Sequence, residues 1–412
     1  MINKRIKDKK MVIVLFLLCF MAYFSSYIGR LNFSAIMPEL ISKNIINSIS
    51  AGSINMTFFL SYGIGQFING IMGDRFKPRY MIFSGLMIAS ASNFFIPFST
   101  STLFIQFFWG INGYANSMIW SPILRIFSES LYPKDIKKCC INITASMALG
   151  TLCSYFLSGL MVFVFGWKGA FFAPSACITL FAFIFFFGMR RVEVYIEKEG
   201  EAVVADVTQV KENTLKMPFN KLLFQTGLLM FLLPVVLHGF LKDGATSWIP
   251  NYIHNEFNIS TSFSSMLTMI IPIINLFGAY AAGIVNNKLK NEVYTSSFFF
   301  LLSFVALLLL IAFKDTNVII STLLLGLVTS AMMAINTMLI NFIPIHFSKC
   351  GRTSTVSGFL NASAYIGAAA CSYAVGIVIN YTSFQIVFLG WALISFVGFI
   401  WCFAIKKQSF QL

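Results

Sequence analysis

The sequence predicts an all-α membrane protein in which twelve transmembrane helices form two pseudo-symmetric halves of six. The composition of the chain and the position of its polar breaks carry this prediction. Of its 412 residues, 58% are hydrophobic and only 11% are charged, which is too apolar for a water-soluble globular domain. A helix needs about 20 apolar residues to cross the hydrocarbon core, and the chain contains twelve stretches of roughly that length.

One long polar interruption divides the twelve stretches six and six. We number the stretches as spans one to twelve, at 11–37, 50–72, 80–98, 102–130, 140–166, 169–189, 221–252, 262–285, 293–313, 316–345, 354–380 and 384–405. The interruption is rich in acidic and basic residues. We therefore expect an N-terminal half at 1–189, a cytoplasmic linker at 190–220 and a C-terminal half at 221–412, related as parallel repeats.

The basic residues of the chain are distributed unequally between the two sides of this bundle. The formal net charge is +14, and most of the 29 lysines and arginines lie in the termini and in the loops on the same side as the termini. The opposite loops carry only Lys43, Lys168 and Lys314. Basic loops stay inside the cell, so we expect a multi-pass protein of the plasma (inner) membrane with both termini in the cytoplasm.

The same distribution excludes a nucleic-acid-binding role for the positive charge. The eight cysteines show neither metal-ligand spacing nor a disulfide framework, and no sequence segment resembles a phosphate-binding P-loop. We therefore expect no enzyme activity, no cofactor and no metal, in a monomer that contacts the lipid bilayer.

Two cations stand at equivalent positions inside apolar segments of the two halves. Arg30 lies eight residues before Pro38, and Lys242 lies eight residues before Pro250. A buried cation costs at least about 2.5 kcal/mol on insertion scales, so it usually has a partner or faces a water-filled cavity. Arginine holds phosphate or carboxylate through two parallel hydrogen bonds, and lysine binds phosphate as a point charge. We therefore predict one anion site between the halves, with these cations as its two walls.

Each cation also has a purely structural interpretation. Arg30 could extend to the outer membrane surface, because Glu39 and Lys43 place that surface two or three turns away. Lys242 could pair with Asp243, although neighbouring helical residues point about 100 degrees apart, which argues against a direct pair. Asp243 lies well within a span, and membrane carboxylates serve as proton relays in transporters. It is therefore our candidate proton carrier if transport is coupled to protons.

Polar side chains share the helix face of Arg30. Tyr23, Tyr27 and Ser34 complete an i, i+4, i+7, i+11 series with it, which predicts a cavity lining. Other polar positions are either interhelical hydrogen-bonding groups or ligand contacts. They are Asn112, Asn116 and Trp120 in span four, Asn336 in span ten, and Asn361, Tyr365 and Ser372 in span eleven.

The turn after span two reads Gly70-Ile71-Met72-Gly73-Asp74-Arg75-Phe76-Lys77-Pro78-Arg79. It resembles the Gly-x-x-x-Asp-Arg-x-x-x-Arg signature of the major facilitator superfamily. The glycines allow close helix approach, and Asp74, Arg75 and Arg79 can pair with neighbouring helix ends and across the two halves. We expect a gating network that forms in one conformation and breaks in the other. Alternatively, these cations only fix the topology.

The chain resembles, through most of its length, the organophosphate:phosphate antiporter branch of the major facilitator superfamily, which includes glycerol-3-phosphate and hexose-phosphate transporters. The motifs that carry the resemblance are Tyr-x-x-Arg-x-Asn-Phe at 27–33 with Met37-Pro38, Asp74-Arg75 with Pro78-Arg79, Trp120-x-Pro122-x-x-Arg125, Gly166-Trp167-Lys168-Gly169-Ala170, Gly244 with Trp248-x-Pro250-x-Tyr252, and Gly358-Phe359 with Tyr365-Ile366-Gly367.

The resemblance implies a major facilitator fold in which basic residues on spans one and seven bind a phosphoryl group between the halves. Arg30 matches the first position, and Lys242 occupies the second, where the well-known bacterial members use arginine. The histidine that glycerol-phosphate transporters carry on span five is absent, with Ser146 close to its place. The resemblance also implies cavity aromatic residues at Tyr23, Tyr27, Tyr114 and Tyr365.

We therefore expect a secondary transporter that exchanges a phosphate ester or another small anion for inorganic phosphate by alternating access. Two alternatives remain open: a proton-coupled symporter of an organic acid or sugar derivative, and a sugar-phosphate sensor that has the same fold but does not transport. The scarcity of carboxylates within the spans favours anion exchange over proton coupling.

Overall fold

The computed structural model describes residues 3–72, 76–203, 224, 227–313, 317–347 and 353–406, and nearly all of their regular structure is helical. The N-terminal half contains α1 (Lys9–Ser42), α2 (Ser48–Met72), α3 (Pro78–Phe95) with a short 3-10 helix (Ile96–Phe98), α4 (Thr102–Ser117), α5 (Trp120–Ser130), α6 (Pro133–Asn142) and α7 (Thr144–Glu199).

The C-terminal half contains more interrupted helices. They are a 3-10 helix (Leu228–Phe231), α8 (Leu232–Gly239), a π-helix (Phe240–Gly244), α9 (Ile249–Phe257), α10 (Thr261–Thr268), α11 (Ile270–Leu289), α12 (Glu292–Phe313), α13 (Val318–Asn336), a second π-helix (Thr337–Phe342), α14 (Ile343–His346), α15 (Thr353–Tyr381) and α16 (Phe384–Ile405).

The described helices account for the twelve predicted spans and confirm the all-α membrane fold. Eight stretches of the described residues are long and apolar enough to cross a membrane, or nine with the seventh span, which bends by 52° before α9. Three further crossings bring the set to twelve. Two are the polar helix α2 and the broken pair α4–α5. The third arises because α7 divides at Gly166, whose φ of 70° belongs to the left-handed region that glycine adopts readily.

The start of the linker differs from the prediction. Helix α7 continues to Glu199, so residues 190–199 are helical. Beyond it, β2 (Glu201–Val203) pairs antiparallel with β1 (Asn3–Arg5), which joins the linker to the start of the chain. The rest of the predicted linker, 204–220, lies outside the described residues.

The two halves touch mainly at one end of the bundle. We call the end that carries the chain termini proximal and the opposite end, where α1 leads into α2, distal. Helices α2 and α15 approach closely at the distal end, because a Cβ on Gly52 would lie 2.5 Å from the carbonyl oxygen of Ser372. Near the proximal ends of the same helices, a Cβ on Gly70 or Gly358 would meet none of the described residues within 4 Å. The halves are therefore closed distally and separated proximally.

A second pair of helices and the buried apolar residues agree with this closure. Ser265 Oγ, on α10, donates to the carbonyl oxygen of Ala35 on α1 at 2.6 Å. One large buried cluster joins the distal part of the N-terminal half, including Trp109, to the C-terminal half, including Trp248. A separate cluster around Phe127 occupies the proximal part of the N-terminal half alone. Apolar packing thus holds the halves together at the distal end.

Cysteine pairs placed at the two ends of α2 and α15 test this arrangement. Ser48 lies one helical turn, about 5.4 Å, from Gly52, whose Cβ would lie 3.2 Å from the Cα of Tyr373. In a chain whose native cysteines are replaced, with a protease site inserted in the linker, we expect a short thiol crosslinker to join Ser48→Cys to Tyr373→Cys. After proteolysis, the halves should then migrate together on a non-reducing gel.

The matched control is the pair Gly70→Cys and Gly358→Cys on the same helices, which we expect to crosslink only weakly in the absence of ligand. Crosslinking of the control pair as efficient as that of the distal pair would contradict closure at the distal end.

Candidate functional site

Arg30 lies within α1 and is enclosed by aromatic rings, with only 6% of its surface exposed. The guanidinium carbon lies 4.3 Å from the ring centroid of Tyr62 and 5.1 Å from that of Tyr27. The rings of Tyr365 and Phe58 lie at 5.5 and 5.7 Å. In the described part of the chain, no carboxylate oxygen comes within 4.0 Å of this cation. A desolvated cation–π contact is worth about 2 kcal/mol, so the rings can offset the cost of burial.

A hydrogen bond joins Arg30 to the other half of the protein. Its Nη2 donates to Tyr365 Oη on α15 at 3.0 Å. The ring of Tyr365 also meets that of Tyr62 edge to face, with centroids 4.6 Å apart. The side chain of Arg30 therefore points between the halves, and the interpretation that it extends to the membrane surface is wrong.

The backbone just before Arg30 is held by side chains from three other helices. The carbonyl oxygen of Gly29 accepts hydrogen bonds from Asn93 Nδ2 at 3.2 Å and Asn112 Nδ2 at 2.8 Å. The carbonyl oxygen of Ile28 accepts one from Ser154 Oγ at 2.8 Å. Asn112 is thus an interhelical hydrogen-bonding group, one of the two roles that the sequence left open. These bonds fix the height and rotation of the cation within the bundle.

Lys242 lies on the π-helix of span seven and pairs with its neighbour. Lys242 Nζ and Asp243 Oδ2 are 3.0 Å apart, so the expectation that they would not pair directly is wrong. The long, flexible lysine stem can reach an adjacent carboxylate, and the wider π turn departs from ordinary helix geometry. The side chains of Lys242 and Asp243 are 17% and 25% exposed, so this pair is more accessible than Arg30.

The two predicted cations share one neighbourhood. Tyr27 interacts electrostatically with both Arg30 and Lys242. Arg30 in turn interacts with Asp243. The structure therefore brings an N-terminal cation, a C-terminal ion pair and several tyrosines to one place between the halves.

The remaining predicted tyrosines differ in their relation to this place. Tyr23 packs edge to face on Tyr27, with centroids 5.3 Å apart, and its other neighbour is Trp120 at 5.0 Å. Tyr23 therefore extends the aromatic cluster one turn towards the proximal end. Tyr114 is half-buried and its ring edge lies against α2, 3.1 Å from where a Cβ on Gly65 would be. The described contacts do not join Tyr114 to Arg30.

Helix α2 contributes side chains to the site that were not among the predicted site residues. Phe58 and Tyr62 stack on the cation, and Gln66 Nε2 donates to Tyr62 Oη at 2.7 Å. Gln66 also accepts a hydrogen bond from Asn361 Nδ2 on α15, which is a further polar contact between the halves. The spacing of four residues between Phe58, Tyr62 and Gln66 matches that of Tyr23 and Tyr27, and this signal could have identified them.

The predicted gating residues are only partly visible. Asp74 and Arg75 lie outside the described residues. Arg79 Nη1 forms an ion pair with Glu193 Oε2 at 2.9 Å, and its guanidinium lies over the rings of Tyr80 and Phe186 at 4.8 and 5.0 Å. These contacts join α3 to α7 within the N-terminal half, so in this conformation they do not include a partner from the other half.

Comparison with known proteins identifies the family of this chain and several related transporters. The model of the Major Facilitator Superfamily matches residues 16–369. A probable hexose phosphate transport protein of Chlamydia muridarum is 25% identical over 425 residues, which cover 95% of this chain and 91% of that protein. The glycerol-3-phosphate transporter of Bacillus subtilis is 25% identical over 296 residues, covering 68% and 66% of the two chains. These relatives confirm the resemblance seen in the sequence.

A solved structure shows the same fold. The crystal structure of a bacterial homolog to the human lysosomal transporter Spinster, in an inward-facing and occupied conformation, superposes with a TM-score of 0.78 over 98% of both chains. The two sequences are 12% identical, so this likeness concerns the fold alone.

The hydrogen bonds behind Arg30 predict a stability effect. Asn93→Leu removes a donor to the carbonyl oxygen of Gly29 and an acceptor for Asn32 Nδ2. Interhelical hydrogen bonds in membranes average about 0.6 kcal/mol each, so we expect a loss of roughly 1 kcal/mol, seen as a lower thermal unfolding midpoint in detergent. Ser92→Ala is the control, because the hydrogen bond of Ser92 Oγ within the described structure stays in its own helix, at the carbonyl oxygen of Ile88. An equal loss in the two variants would contradict the anchoring role.

Proposed function

The chain belongs to the Major Facilitator Superfamily, and we propose that it exchanges a phosphate ester of the size of a sugar phosphate for inorganic phosphate across the plasma membrane. One observation carries this proposal: Arg30 is buried between the halves and held by aromatic rings and a hydroxyl instead of a carboxylate. An arginine held in this way keeps its capacity to bind an anion through its planar fork. The named substrates of the relatives make a phosphate ester the fitting anion.

In this proposal, Arg30 holds two oxygens of the phosphoryl group and Lys242 supplies a second positive charge from the other half. Tyr27 and Tyr365, which lie against the guanidinium, donate hydrogen bonds to the anion or confine it. Tyr23 and Tyr114 line the route towards the proximal end. Because both halves of this site belong to one chain, a monomer suffices.

The proposed orientation assigns a state to the structure. With the termini in the cytoplasm, as the excess of basic residues on their side predicts, the proximal end faces the cytoplasm. Closure of the distal end then corresponds to an inward-facing state. The outward-facing state would require α2 and α15 to separate distally, and the hydrogen bond between Arg30 and Tyr365 to lengthen or break.

The energetic cost of moving an uncompensated positive charge through the membrane favours exchange over uniport. An empty site that reorients carries the charge of Arg30 through the low-dielectric centre of the membrane without a counter-ion, whereas a site that holds an anion is closer to neutral. Reorientation is therefore faster with an anion bound on each passage, which is the physical basis of antiport.

Phosphate counterflow in proteoliposomes tests the function. Vesicles are loaded with labelled phosphate, and we expect external unlabelled phosphate or glucose 6-phosphate to accelerate release of the label by at least tenfold over buffer. If neither external anion releases the label, the antiport proposal is lost. Specific binding without flux would instead identify a sensor, and uptake that depends on a proton gradient without counterflow would identify a symporter.

Substitution of the two cations tests the site. Removing one member of a buried charged pair costs about 2–5 kcal/mol, so we expect Arg30→Ala and Lys242→Ala each to reduce anion exchange by at least about 30-fold. Lys242→Arg keeps the charge and should retain part of the activity. Initial exchange rates are normalised to the amount of folded protein in the vesicles.

Lys43→Ala is the matched control for these substitutions. It removes a cation that pairs with Glu39 at the distal end of α1, outside the site, and should leave exchange nearly unchanged. Unchanged exchange in Arg30→Ala would refute the central site.

A further inference from the structure

Asp243 places a negative charge inside the anion site. Its carboxylate is 3.0 Å from the ammonium group of Lys242 and interacts electrostatically with Arg30. Two cations and one carboxylate give the site a formal charge of +1, although the sequence supplies two basic residues. A site with one net charge fully compensates one negative charge on its ligand.

The other titratable groups around Asp243 are a histidine and three tyrosines, and in their neutral forms they leave the formal charge of the site at +1. The π-helix that carries it packs against α8, α13 and α15. His238, on α8, is buried and its Nδ1 lies 3.2 Å from the carbonyl oxygen of Val235. Among the described residues, the charged and titratable groups in electrostatic range of the Lys242–Asp243 pair are Arg30, Tyr27, Tyr155, His238 and Tyr365.

A doubly charged ligand is at a disadvantage in this arrangement. When it meets Arg30 and Lys242, its second charge stands close to the carboxylate of Asp243, and like charges at short range repel strongly where water is scarce. Four rings cover most of the surface of Arg30, and the hydroxyl groups of the three tyrosines among them carry no charge that compensates the additional one. An uncompensated charge in a buried site is costly.

We propose that Asp243 is a specificity-determining residue that selects the singly charged form of the phosphate ester or phosphate ion. This inference rests on the proposed function and adds to it the ionic form of the substrate. In this role Asp243 stays ionised and makes the electrostatic potential of the site less positive. A proton carrier, in contrast, must gain and lose a proton in each cycle.

A pair of esters that differ in their titration tests the proposal. Glucose 6-sulfate is a monoanion at every pH of interest, whereas a phosphate monoester loses its second proton near pH 6. Dissociation constants for glucose 6-sulfate and glucose 6-phosphate are measured calorimetrically at pH 5.5 and pH 7.5 on purified full-length protein. The sulfate ester normalises for the titration of protein groups.

The wild-type protein should lose affinity for the phosphate ester relative to the sulfate ester by about 25-fold between these pH values, because the monoanionic fraction falls by that factor. Asp243→Asn raises the formal charge to +2, and the relative loss should fall to threefold or less. The double variant Lys242→Gln with Asp243→Asn returns the charge to +1, so the wild-type dependence should return even if both affinities are weaker. Glu39→Gln, which removes a carboxylate at the distal end, should behave as wild type.

A pH-independent affinity ratio in the wild type, or a full 25-fold change in folded Asp243→Asn protein, would overturn the inference while leaving phosphate-ester exchange intact. The failure of both esters to bind the wild type, with no phosphate counterflow, would overturn the proposed function and this inference with it.

Discussion

The positive charge of Arg30 is the constraint on which the arrangement of the bundle depends. A cation in the middle of a membrane-spanning helix must be compensated, and here the compensation comes from ring faces of α1, α2 and α15 together with the hydroxyl of Tyr365. The backbone before it is fixed by amide and hydroxyl groups of α3, α4 and α7. Five helices besides α1 are therefore positioned with respect to one side chain, and one of them, α15, belongs to the other half.

The two ends of the bundle use different chemistry. At the distal end, small residues let the backbones of α2 and α15 come into contact, and apolar side chains fill the space between the halves. Midway, the contacts between the halves become polar, through Gln66 with Asn361 and through Arg30 with Tyr365. At the proximal end, a Cβ added to Gly70 or Gly358 on the same helices would meet no described residue within 4 Å. The contacts between α2 and α15 therefore change along the bundle from packed to polar to open.

The fold and the two buried cations could be predicted from the sequence, because hydropathy is a property of a segment and charge is a property of a single residue. Arg30 and Lys242 stood out by the cost of burying them. Phe58 and Tyr62 did not, because they lie on a helix without a charged residue, where their spacing of four is informative only beside the matching series on α1. The ion pair between Lys242 and Asp243 lies on a π-helical turn, which the residue pattern does not predict. The end of α7 is followed by a strand that pairs with the start of the chain, and local sequence does not predict that pairing either. Long-range contacts of this kind come from three-dimensional packing and not from local spacing.

The hydrogen bond from Arg30 to Tyr365 also affects the rate at which the proposed site would release its anion. The guanidinium has a neutral acceptor and four ring faces around it, so an anion that binds as proposed replaces existing contacts. The net gain on binding is reduced by what is given up, and release is eased to the same extent because the tyrosine can return. Such a site should bind its anion with modest affinity and hold it for a short time, and rapid transport requires both properties.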